Sequence, residues 1–255
     1  MKIADARAVV TGGASGLGAA VAAHITSSGG KAVMLDIQEA PGQAAAARLG
    51  PQAHFLRCDV TNEADVDGAM AAAQRQMDGL NLLVNCAGIV GAGRMLGKNG
   101  PMAGEFFVKV VHINLIGTFF CDKAAAALMQ HNAPSSDGER GVLIHTASVA
   151  AFEGQIGQVA YSATKAALAG MTLPIARELA RSGIRCVAIA PGIFHTPMVD
   201  SMTPDLQASL ASQIPFPSRL GRPAEFAQLV GAIFENTMLN GETIRLDGAI
   251  RMQPK

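Results

Sequence analysis

The sequence contains no tryptophan, only one tyrosine and no excess of either charge. Its 255 residues include 20 basic and 20 acidic side chains. A chain without net charge exerts no general attraction on phosphate backbones or anionic lipid, so we expect neither nucleic acid nor a membrane as a partner. We also find no run near the ~20 apolar residues that a membrane span requires. These absences leave a globular protein with a small-molecule partner as the first hypothesis.

Cysteine is also scarce. The four cysteines show no CxxC spacing and no neighbouring histidine, which argues against a structural metal site; they are Cys58, Cys86, Cys121 and Cys186. This pattern is typical of reduced, mostly buried thiols. The N-terminal sequence reaches a glycine-rich turn at once and lacks the apolar run of a signal peptide. We therefore expect a cytoplasmic protein that binds no metal.

Apolar residues make up 49% of the chain and alternate regularly with other segments. Short, nearly all-apolar runs, as in strands covered on both faces, lie at residues 8–10, 32–35, 54–58, 82–85, 142–146, 185–190 and 243–246. Helical periodicity covers residues 17–28, 42–49, 64–77, 105–132, 159–181 and 224–235. Strands that alternate with helices are typical of βαβ units. The sequence predicts an α/β fold in a single domain over residues 1–255: a Rossmann-type doubly wound parallel sheet of about seven strands with helices on both faces.

Three stretches interrupt this alternation, at residues 89–104, 133–141 and 192–220. The first and third follow predicted strands, and open α/β sheets bind ligands at the carboxyl ends of their strands. We predict a substrate-binding loop at about 192–220, in which apolar side chains cover either a small pocket or only the core: Ile193, Phe194, Leu206 and Leu210. Basic side chains in or just after these two loops could contact the phosphates of a CoA substrate or form a solvated rim: Arg94, Lys98, Arg219 and Arg222.

A glycine-rich turn, TGGASGLG at residues 11–18, joins the first predicted strand to the first helix. Glycines there let the backbone approach a pyrophosphate, which the helix N-terminus then holds. The spacing alone is a weak signal, because a purely structural turn also explains it. Asp36 ends the second predicted strand, where a carboxylate accepts hydrogen bonds from the adenosine ribose or else caps the next helix. It would repel a 2′-phosphate, and neither Ser15 nor Ile37 supplies a cation, so we predict NAD rather than NADP.

Polar residues also end the next two predicted strands. Asp59 is followed by Val60, and Asn85 is followed by Cys86, Ala87 and Gly88. Taken singly, such residues are ordinary turn formers. Because parallel strands bring their carboxyl ends to one edge of a sheet, we predict that both groups line the adenine and ribose face of the cofactor.

The single tyrosine, Tyr161, has Lys165 four residues after it. On a helix, positions i and i+4 lie on the same face. An ammonium near a phenol favours the phenolate and lowers a pKa that starts near ~10, as a general base near neutrality requires. The alternative interpretation is a core tyrosine beside a surface lysine.

Ser148 lies 13 residues before Tyr161, directly after a predicted buried strand. Its hydroxyl could hydrogen-bond a substrate oxygen as negative charge develops there. No Gly-x-Ser-x-Gly elbow surrounds it, which argues against a nucleophilic serine, and we interpret His145 as a core histidine rather than its base. Asn114 interrupts an apolar helical run. A buried amide must find partners, so Asn114 either bends the helix around a water or orients the lysine, unless it is exposed.

These residues together resemble the short-chain dehydrogenase/reductase family over the whole chain. The pattern consists of the turn at residues 11–18, the run Asn85-Cys86-Ala87-Gly88, Asn114, Ser148, Tyr161-x-x-x-Lys165 and Pro191-Gly192. Residues 148–155, 211–221 and 240–254 resemble one group within it. That group is the type II, short-chain 3-hydroxyacyl-CoA dehydrogenases, also called 17β-hydroxysteroid dehydrogenase type 10.

The resemblance implies a homotetramer that uses NAD(H) to oxidise (S)-3-hydroxyacyl-CoA to 3-oxoacyl-CoA, sometimes with branched acyl chains or steroid alcohols. It assigns catalysis to Ser148, Tyr161 and Lys165, with Asn114 completing a proton relay. It places the cofactor on Gly12, Ser15, Gly16, Leu17, Gly18, Asp36, Asp59, Val60, Asn85, Ala87, Gly88, Tyr161, Lys165, Pro191, Ile193 and Thr196. It places the substrate on Ser148, Gln155, Gln158, Phe194 and Leu206.

Three features differ from that group. Its mitochondrial members carry an N-terminal extension that this sequence lacks, which implies a cytoplasmic enzyme. Residues 89–104, expected near the CoA moiety, diverge, and His145 stands where relatives often have Asn. The apolar run at residues 246–253 suits burial at a subunit contact.

Two alternative functions stay open. One is a dehydrogenase of another secondary alcohol, such as a steroid or a 3-oxoacyl carrier protein. Asp36 argues against the carrier-protein substrate, because such reductases normally use NADPH. The other is a non-catalytic dinucleotide-binding scaffold, against which the complete Ser–Tyr–Lys set argues.

Overall fold

The strands of the sheet come from nearly the whole length of the chain. A computed structural model describes residues 1–98, 100–200 and 202–254. The strands are β1 (Arg7–Thr11), β2 (Lys31–Asp36), β3 (Ala53–Arg57), β4 (Leu82–Asn85), β5 (Leu96–Gly97), β6 (Gly100–Pro101), β7 (Gly141–Thr146), β8 (Ile184–Pro191) and β9 (Thr243–Leu246). Seven of them form one parallel sheet in the order β3-β2-β1-β4-β7-β8-β9. The predicted seven-stranded parallel sheet is therefore confirmed.

Helices cover both faces of this sheet, as predicted. They are α1 (Gly16–Ser27), α2 (Glu39–Leu49), α3 (Glu63–Met77), α4 (Gly104–Val111), α5 (Gly117–Met129), α6 (Val159–Leu179), α7 (Pro197–Asp200), α8 (Pro204–Ser212) and α9 (Pro223–Glu235). The core between the sheet and α1, α2 and α9 lies on one face. The core against α3, α5 and α6 lies on the other.

Neighbouring residues of one strand contribute to opposite cores. In β1, Val10 packs with Ile25 and Phe226 on the first face, whereas Val9 packs with Met70 on the second. All are buried, because side chains alternate between the two faces of a strand and both faces are covered. This explains why the strands are nearly continuous apolar runs rather than alternating ones.

The long helix predicted over residues 105–132 is interrupted in the structure. α4 ends at Val111, a π-helical turn spans His112–Ile116, and α5 ends at Met129. A π-helical turn accommodates one extra residue within a helix, and Asn114 is buried inside this one. The other predicted bounds shift by a few residues; for example, the helix predicted at 42–49 begins at Glu39.

The stretch Gly104–Met129 is long and apolar enough to cross a membrane, judged by length and composition only. The sequence prediction concerned an unbroken apolar run and did not identify this helix. Charged residues, including Asp122 and Lys123, divide it into shorter apolar runs, so it does not stand out as one continuous run. One such helix is only weak support for a membrane protein, because the core helix of a soluble protein can meet the same criteria. Of the apolar window in this helix, 28% is buried inside the chain.

The two predicted loops after strands contain secondary structure of their own. Residues 89–104 include the two-stranded antiparallel pair of β5 and β6. Residues 192–220 include α7 and α8. Thr203 caps α8 by accepting a hydrogen bond from the amide of Leu206, and Pro204 occupies its first turn.

Candidate active site

A cleft of about 1210 Å³ opens at the carboxyl ends of the strands. Pockets for a single drug-sized ligand span roughly 300–1,000 Å³, so this cleft has room for a dinucleotide and a second molecule. Most of the residues predicted for cofactor or substrate line it: Gly12, Ser15, Gly16, Leu17, Gly18, Asp36, Asp59, Val60, Ala87, Gly88, Ser148, Gln155, Gln158, Tyr161, Lys165, Pro191, Ile193, Phe194 and Thr196. The fold therefore brings together residues that lie far apart in the sequence.

The glycine turn between β1 and α1 requires glycine for steric reasons. Gly12 has a φ of +64°, and a Cβ there would lie 2.8 Å from the backbone nitrogen of Ala87. Gly16, the first residue of α1, has a φ of +55°. At Gly18 a Cβ would collide with the carbonyl oxygen of Gly12. The backbone thus reaches the cleft without side chains in the way, and the N-terminus of α1 faces it, which is the arrangement that binds a pyrophosphate.

Asp36, the last residue of β2, lines the cleft beside this turn. Its Oδ2 accepts a hydrogen bond from the amide of Ala14 at 3.1 Å, and its Oδ1 accepts one from the amide of Gln38 at 3.0 Å. The residue that caps α2 is Gln38, so the alternative role of Asp36 as the N-cap is wrong. The Asp36 side chain thus bonds the glycine turn and lies at the cleft.

Asp59 also lines the cleft, after the end of β3. Its Oδ1 accepts hydrogen bonds from the hydroxyl and the amide of Thr61, at 2.7 and 2.9 Å. These two bonds lower the pKa of Asp59 against a small opposing effect of burial. The carboxylate is therefore ionised and oriented at neutral pH.

Asn85 does not line the cleft. It is buried on the side of the sheet that faces α5, where its Nδ2 donates a 2.8 Å hydrogen bond to Oδ1 of Asp122. Because side chains alternate along a strand, the next residue, Cys86, lines the cleft instead. The prediction that Asn85 lines the cofactor face is therefore wrong, because its side chain bonds Asp122 on the face of the sheet that packs against α5.

Ser148 and Tyr161 line the same cleft as the glycine turn, which follows β1, whereas Ser148 follows β7 on the other side of β4. The Oγ of Ser148 accepts a hydrogen bond from the amide of Ala150 at 3.1 Å, which caps a short 3-10 helix. Tyr161 lies in the first turn of α6. Burial raises the pKa of Tyr161, and a hydrogen bond with Ser148 lowers it by less. The phenol is therefore protonated at neutral pH, and the expectation of a lowered pKa was wrong for the protein alone.

Lys165 is buried, with 5% of its surface exposed, so the interpretation as a surface lysine is wrong. Its Nζ donates a 2.6 Å hydrogen bond to the carbonyl of Thr146 at the end of β7. The same atom lies 5.5 Å from the centroid of the Tyr161 ring. Burial lowers the pKa of Lys165 to about 8. The lysine can therefore exchange a proton close to neutral pH.

Asn114 is fully buried and does not line the cleft. Its Oδ1 accepts a hydrogen bond from the amide of Ile89 at 2.8 Å, and its Nδ2 donates to the carbonyl of the same residue at 2.9 Å. Nδ2 also donates to Oγ1 of Thr164, next to Lys165, at 3.2 Å. The amide thus fastens the loop after β4, which lines the cleft, to the helix that carries the lysine. The side chain of Asn114 bonds Ile89 and Thr164, whereas Nζ of Lys165 bonds the carbonyl of Thr146.

The apolar end of the cleft differs from the prediction at one residue. Leu206 is 47% exposed on α8 and does not line the cleft, whereas Leu210, one helical turn later, does. Helical spacing explains the error, because the turn that faces the cleft was not evident from composition. The sequence analysis also missed Met202 and Met252 in the lining. Met202 lies inside the predicted loop, but no local signal marks Met252 near the C-terminus.

The prediction that His145 is a core histidine is confirmed. It lies in β7, and its side chain is fully buried against α5 and α6. Its Nε2 lies 2.8 Å from Oδ2 of Asp122, and its Nδ1 lies 3.1 Å from Oγ1 of Thr172. Both ring nitrogens are engaged, so it cannot serve as a base for Ser148. Within the described residues, no group of three His, Cys, Asp or Glu side chains could hold a metal ion.

Comparisons with known proteins agree with this geometry. The sequence matches the family described as short chain dehydrogenase over residues 6–207. It is 53% identical over 249 residues to the 3-hydroxyacyl-CoA dehydrogenase type-2 of Homo sapiens, covering 97% of this chain and 95% of that protein. It is 49% identical over 254 residues to the protein of the same name from Drosophila melanogaster, covering 99% and 100%. The crystal structure of 3-hydroxyacyl-CoA dehydrogenase type-2 from Mycobacterium avium matches with a TM-score of 0.92 at 40% identity, covering 97% and 96%. The chain belongs to the short-chain dehydrogenase/reductase family of oxidoreductases.

Proposed function

We propose that the chain interconverts (S)-3-hydroxyacyl-CoA and 3-oxoacyl-CoA, with short or branched acyl chains and NAD(H) as the cofactor. The observation that carries the proposal is that Ser148, Tyr161 and Lys165 line the same cleft as the glycine turn. The similarity to proteins named 3-hydroxyacyl-CoA dehydrogenase type-2 over nearly their full length supports this substrate class.

The residues present fit a nicotinamide dinucleotide. Because Gly12 and Gly18 have no Cβ, the turn packs tightly against the neighbouring backbone, and its residues line the cleft beside the N-terminus of α1, where a pyrophosphate would bind. When bound, the dinucleotide supplies the hydride acceptor or donor at its nicotinamide ring. In our proposal the adenosine end lies along Asp36, Asp59 and Val60, and the nicotinamide end lies near Ile193; the remaining contacts would be Ser15, Gly16, Leu17, Ala87, Gly88, Pro191 and Thr196.

We assign proton transfer to Tyr161, with Ser148 and Lys165 as its partners. In reduction, the Tyr161 phenol donates its proton to the 3-oxo oxygen of the substrate, and the Ser148 hydroxyl hydrogen-bonds that oxygen as charge develops. In oxidation the same phenol must lose its proton first and then accept that of the substrate hydroxyl. Lys165, with a pKa of about 8, would hold the ribose hydroxyls, return a proton to Tyr161 after reduction, and accept the proton that Tyr161 releases in oxidation. Because burial raises the pKa of Tyr161, the oxidation rate should rise as the pH increases above neutrality.

NAD rather than NADP is our proposal for the cofactor. The Asp36 carboxylate faces the cleft where the ribose would lie, and it would repel a 2′-phosphate. The neighbouring cleft residues from the described chain, Ser15, Ile37 and Gln38, supply no positive charge.

The same proposal includes a homotetramer in the cytoplasm, built from one domain of residues 1–255 with the substrate-binding loop at 192–220. Exposed apolar side chains outside the cleft support a subunit contact: Ile116, Phe119 and Leu173. The four cysteines are free, as suits a reducing compartment. The strands of the sheet extend from Arg7 to Leu246, in keeping with one domain.

The substrate assay that tests the proposal compares three ketones under identical conditions. Acetoacetyl-CoA, a 3-oxoacyl carrier protein and a panel of steroid ketones are each offered with NADH and with NADPH. Oxidation of the reduced cofactor is followed by absorbance. We expect acetoacetyl-CoA with NADH to give a kcat/KM at least tenfold above every other pair. Acetoacetyl-N-acetylcysteamine keeps the thioester and lacks the nucleotide, so its kcat/KM shows how much the nucleotide part of CoA contributes to that of acetoacetyl-CoA. A steroid as the best substrate, or no turnover of any ketone, would overturn the proposal.

A further inference from the structure

The C-terminal segment does not leave the molecule but lies along the connection between Ser148 and Tyr161. The amide of Ile156 donates to the carbonyl of Pro254 at 3.0 Å, and Nε2 of Gln155 donates to the carbonyl of Gln253 at 3.0 Å. Both ends of that connection carry catalytic hydroxyl groups. The C-terminal segment therefore lies on the catalytic side of the cleft and not on the side of the glycine turn.

An ion-pair network holds the segment in place. Both guanidinium nitrogens of Arg245, in β9, bond the two carboxylate oxygens of Glu153, at 2.8 and 3.0 Å. The same carboxylate accepts a hydrogen bond from the amide of Met252 at 3.3 Å. Arg245 also bonds Oδ2 of Asp247 at 2.7 Å and the carbonyl of Ile250 at 3.0 Å. A bidentate pair fixes direction as well as distance, so Glu153 determines where the segment lies.

The segment contributes one apolar side chain to the cleft. Ile250 is fully buried and packs with Val199, Ile214 and Leu220, so the segment is anchored within its own chain. Met252 packs against the same cluster and lines the cleft, as Leu210 and Met202 from the substrate-binding loop do. The apolar run that the sequence assigned to a subunit contact thus has partners inside the chain.

We propose that Met252 closes the apolar end of the cleft and limits the length of the acyl chain, and that Glu153 is the positioning residue that holds it there. The inference rests on the proposed function, because it concerns the acyl substrate of that site. Methionine suits this role, since its unbranched thioether fills irregular gaps between Leu210 and the neighbouring side chains. Chain length would then depend on a residue far from the predicted loop in sequence.

Substitution of Met252 tests the limit on chain length directly. Met252→Ala removes three heavy atoms, space for about two methylenes, and each buried methylene is worth about a fourfold factor. We expect the ratio of kcat/KM for 3-oxooctanoyl-CoA over acetoacetyl-CoA to rise about tenfold. Met252→Phe should lower the ratio, and Glu153→Gln, which keeps its volume but loses the charge, should raise it. Met238→Ala, at a site 88% exposed and outside the cleft, is the matched control and should leave it unchanged.

The outcomes separate this inference from the proposed function. Turnover of acetoacetyl-CoA by the unsubstituted protein supports the function whatever the ratio does. With that turnover present, a ratio that stays within twofold in both Met252→Ala and Glu153→Gln would overturn the inference alone. NADH fluorescence titration of each variant shows that the cofactor half of the cleft is intact, because loss of folding would abolish this binding. Absence of turnover by the unsubstituted protein would overturn both.

Discussion

The ammonium group of Lys165 and the carbonyl of Thr146 form a 2.6 Å hydrogen bond that joins α6 to the end of β7. This bond places a cation 5.5 Å from the Tyr161 ring, in a part of the protein from which water is largely excluded. Burial outweighs the opposing influence of Cys86 and lowers the pKa of Lys165 from 10.5 to about 8. The site holds this charge at a cost in folding stability.

Removal of the charge should stabilise the protein and abolish its activity. The pKa difference corresponds to about 3 kcal/mol of destabilisation below pH 8, where both states hold the proton. Between pH 8 and 10.5 the unfolded chain binds more of this proton, so stability rises with pH. We expect Lys165→Met to be more stable than the parent protein at pH 7, by urea unfolding at equal protein concentration. The difference should shrink by pH 10, and a variant less stable at pH 7 would contradict the account.

Asp36 should control the choice between NAD and NADP. Hydrogen bonds to a charged group contribute about 1.5–3 kcal/mol, so Asp36→Ala should lower kcat/KM with NAD by tenfold or more. Asp36→Asn keeps an acceptor for the amide of Ala14 but loses the charge, and should improve use of NADP. Steady-state kinetics with both cofactors measures the ratio, and Asp5→Ala, at an exposed site, is the control. An unchanged NAD to NADP ratio in both variants would show that Asp36 only holds the turn.

The buried pair of His145 and Asp122 should contribute stability that depends on pH. Burial acts against the imidazolium, but the charge and hydrogen bond of Asp122 outweigh it and raise the pKa of His145 well above 6.5. A raised pKa means that the contribution is complete below about pH 6.5 and is lost as the pH rises through the folded value. His145→Ala leaves the carboxylate without its cation, which costs about 3–5 kcal/mol.

The double variant Asp122→Asn with His145→Asn provides the control for this pair. It removes both charges, so it should destabilise the protein by less than the sum of the single changes. Guanidinium unfolding between pH 6 and 9 should show that the free energies of unfolding of the parent protein and His145→Ala approach each other as the pH rises. A difference that does not change with pH would mean that His145 is neutral in the folded protein.

The exposed side chain of Phe119 on α5 should lie in a subunit contact. Phe119 is 52% exposed there, and Phe119→Glu would place a charge in an apolar interface. Light scattering should give a mass of four times 26.2 kDa for the parent protein and a smaller assembly for the variant. Met238→Glu places the same charge on a surface outside this contact and should keep the assembly. A monomeric parent protein would remove the tetramer from the account.

Much of the fold follows from local composition. The runs around Val9, Leu83 and Val187 are short, apolar and β-branched because both faces of each strand are covered, and this pattern is visible without tertiary information. The proximity of Tyr161 and Lys165 was predictable for a similar reason, since the two residues are one helical turn apart. Their pKa values were not, because they depend on burial by residues from other elements.

The errors arise where tertiary contacts decide. Asn85 ends its strand as predicted, but the direction of its side chain depends on Asp122 in a distant helix. The π-helical turn at Asn114 depends on the backbone of Ile89. The segment that carries Met252 is held by the burial of Ile250 and by Glu153, which bonds Arg245 from a position 92 residues away. No local pattern contains these relationships.

The central claim is that the single tyrosine transfers the proton. The measurement that tests it most directly is the kcat of Tyr161→Phe with acetoacetyl-CoA and NADH, together with the Kd for NADH. The Kd is measured by NADH fluorescence, which no tryptophan obscures. General acid–base catalysis contributes about 10²–10⁴-fold, so we predict that kcat falls at least a hundredfold while the Kd stays within threefold. A kcat within tenfold of the parent protein, with NADH still bound, would contradict the account.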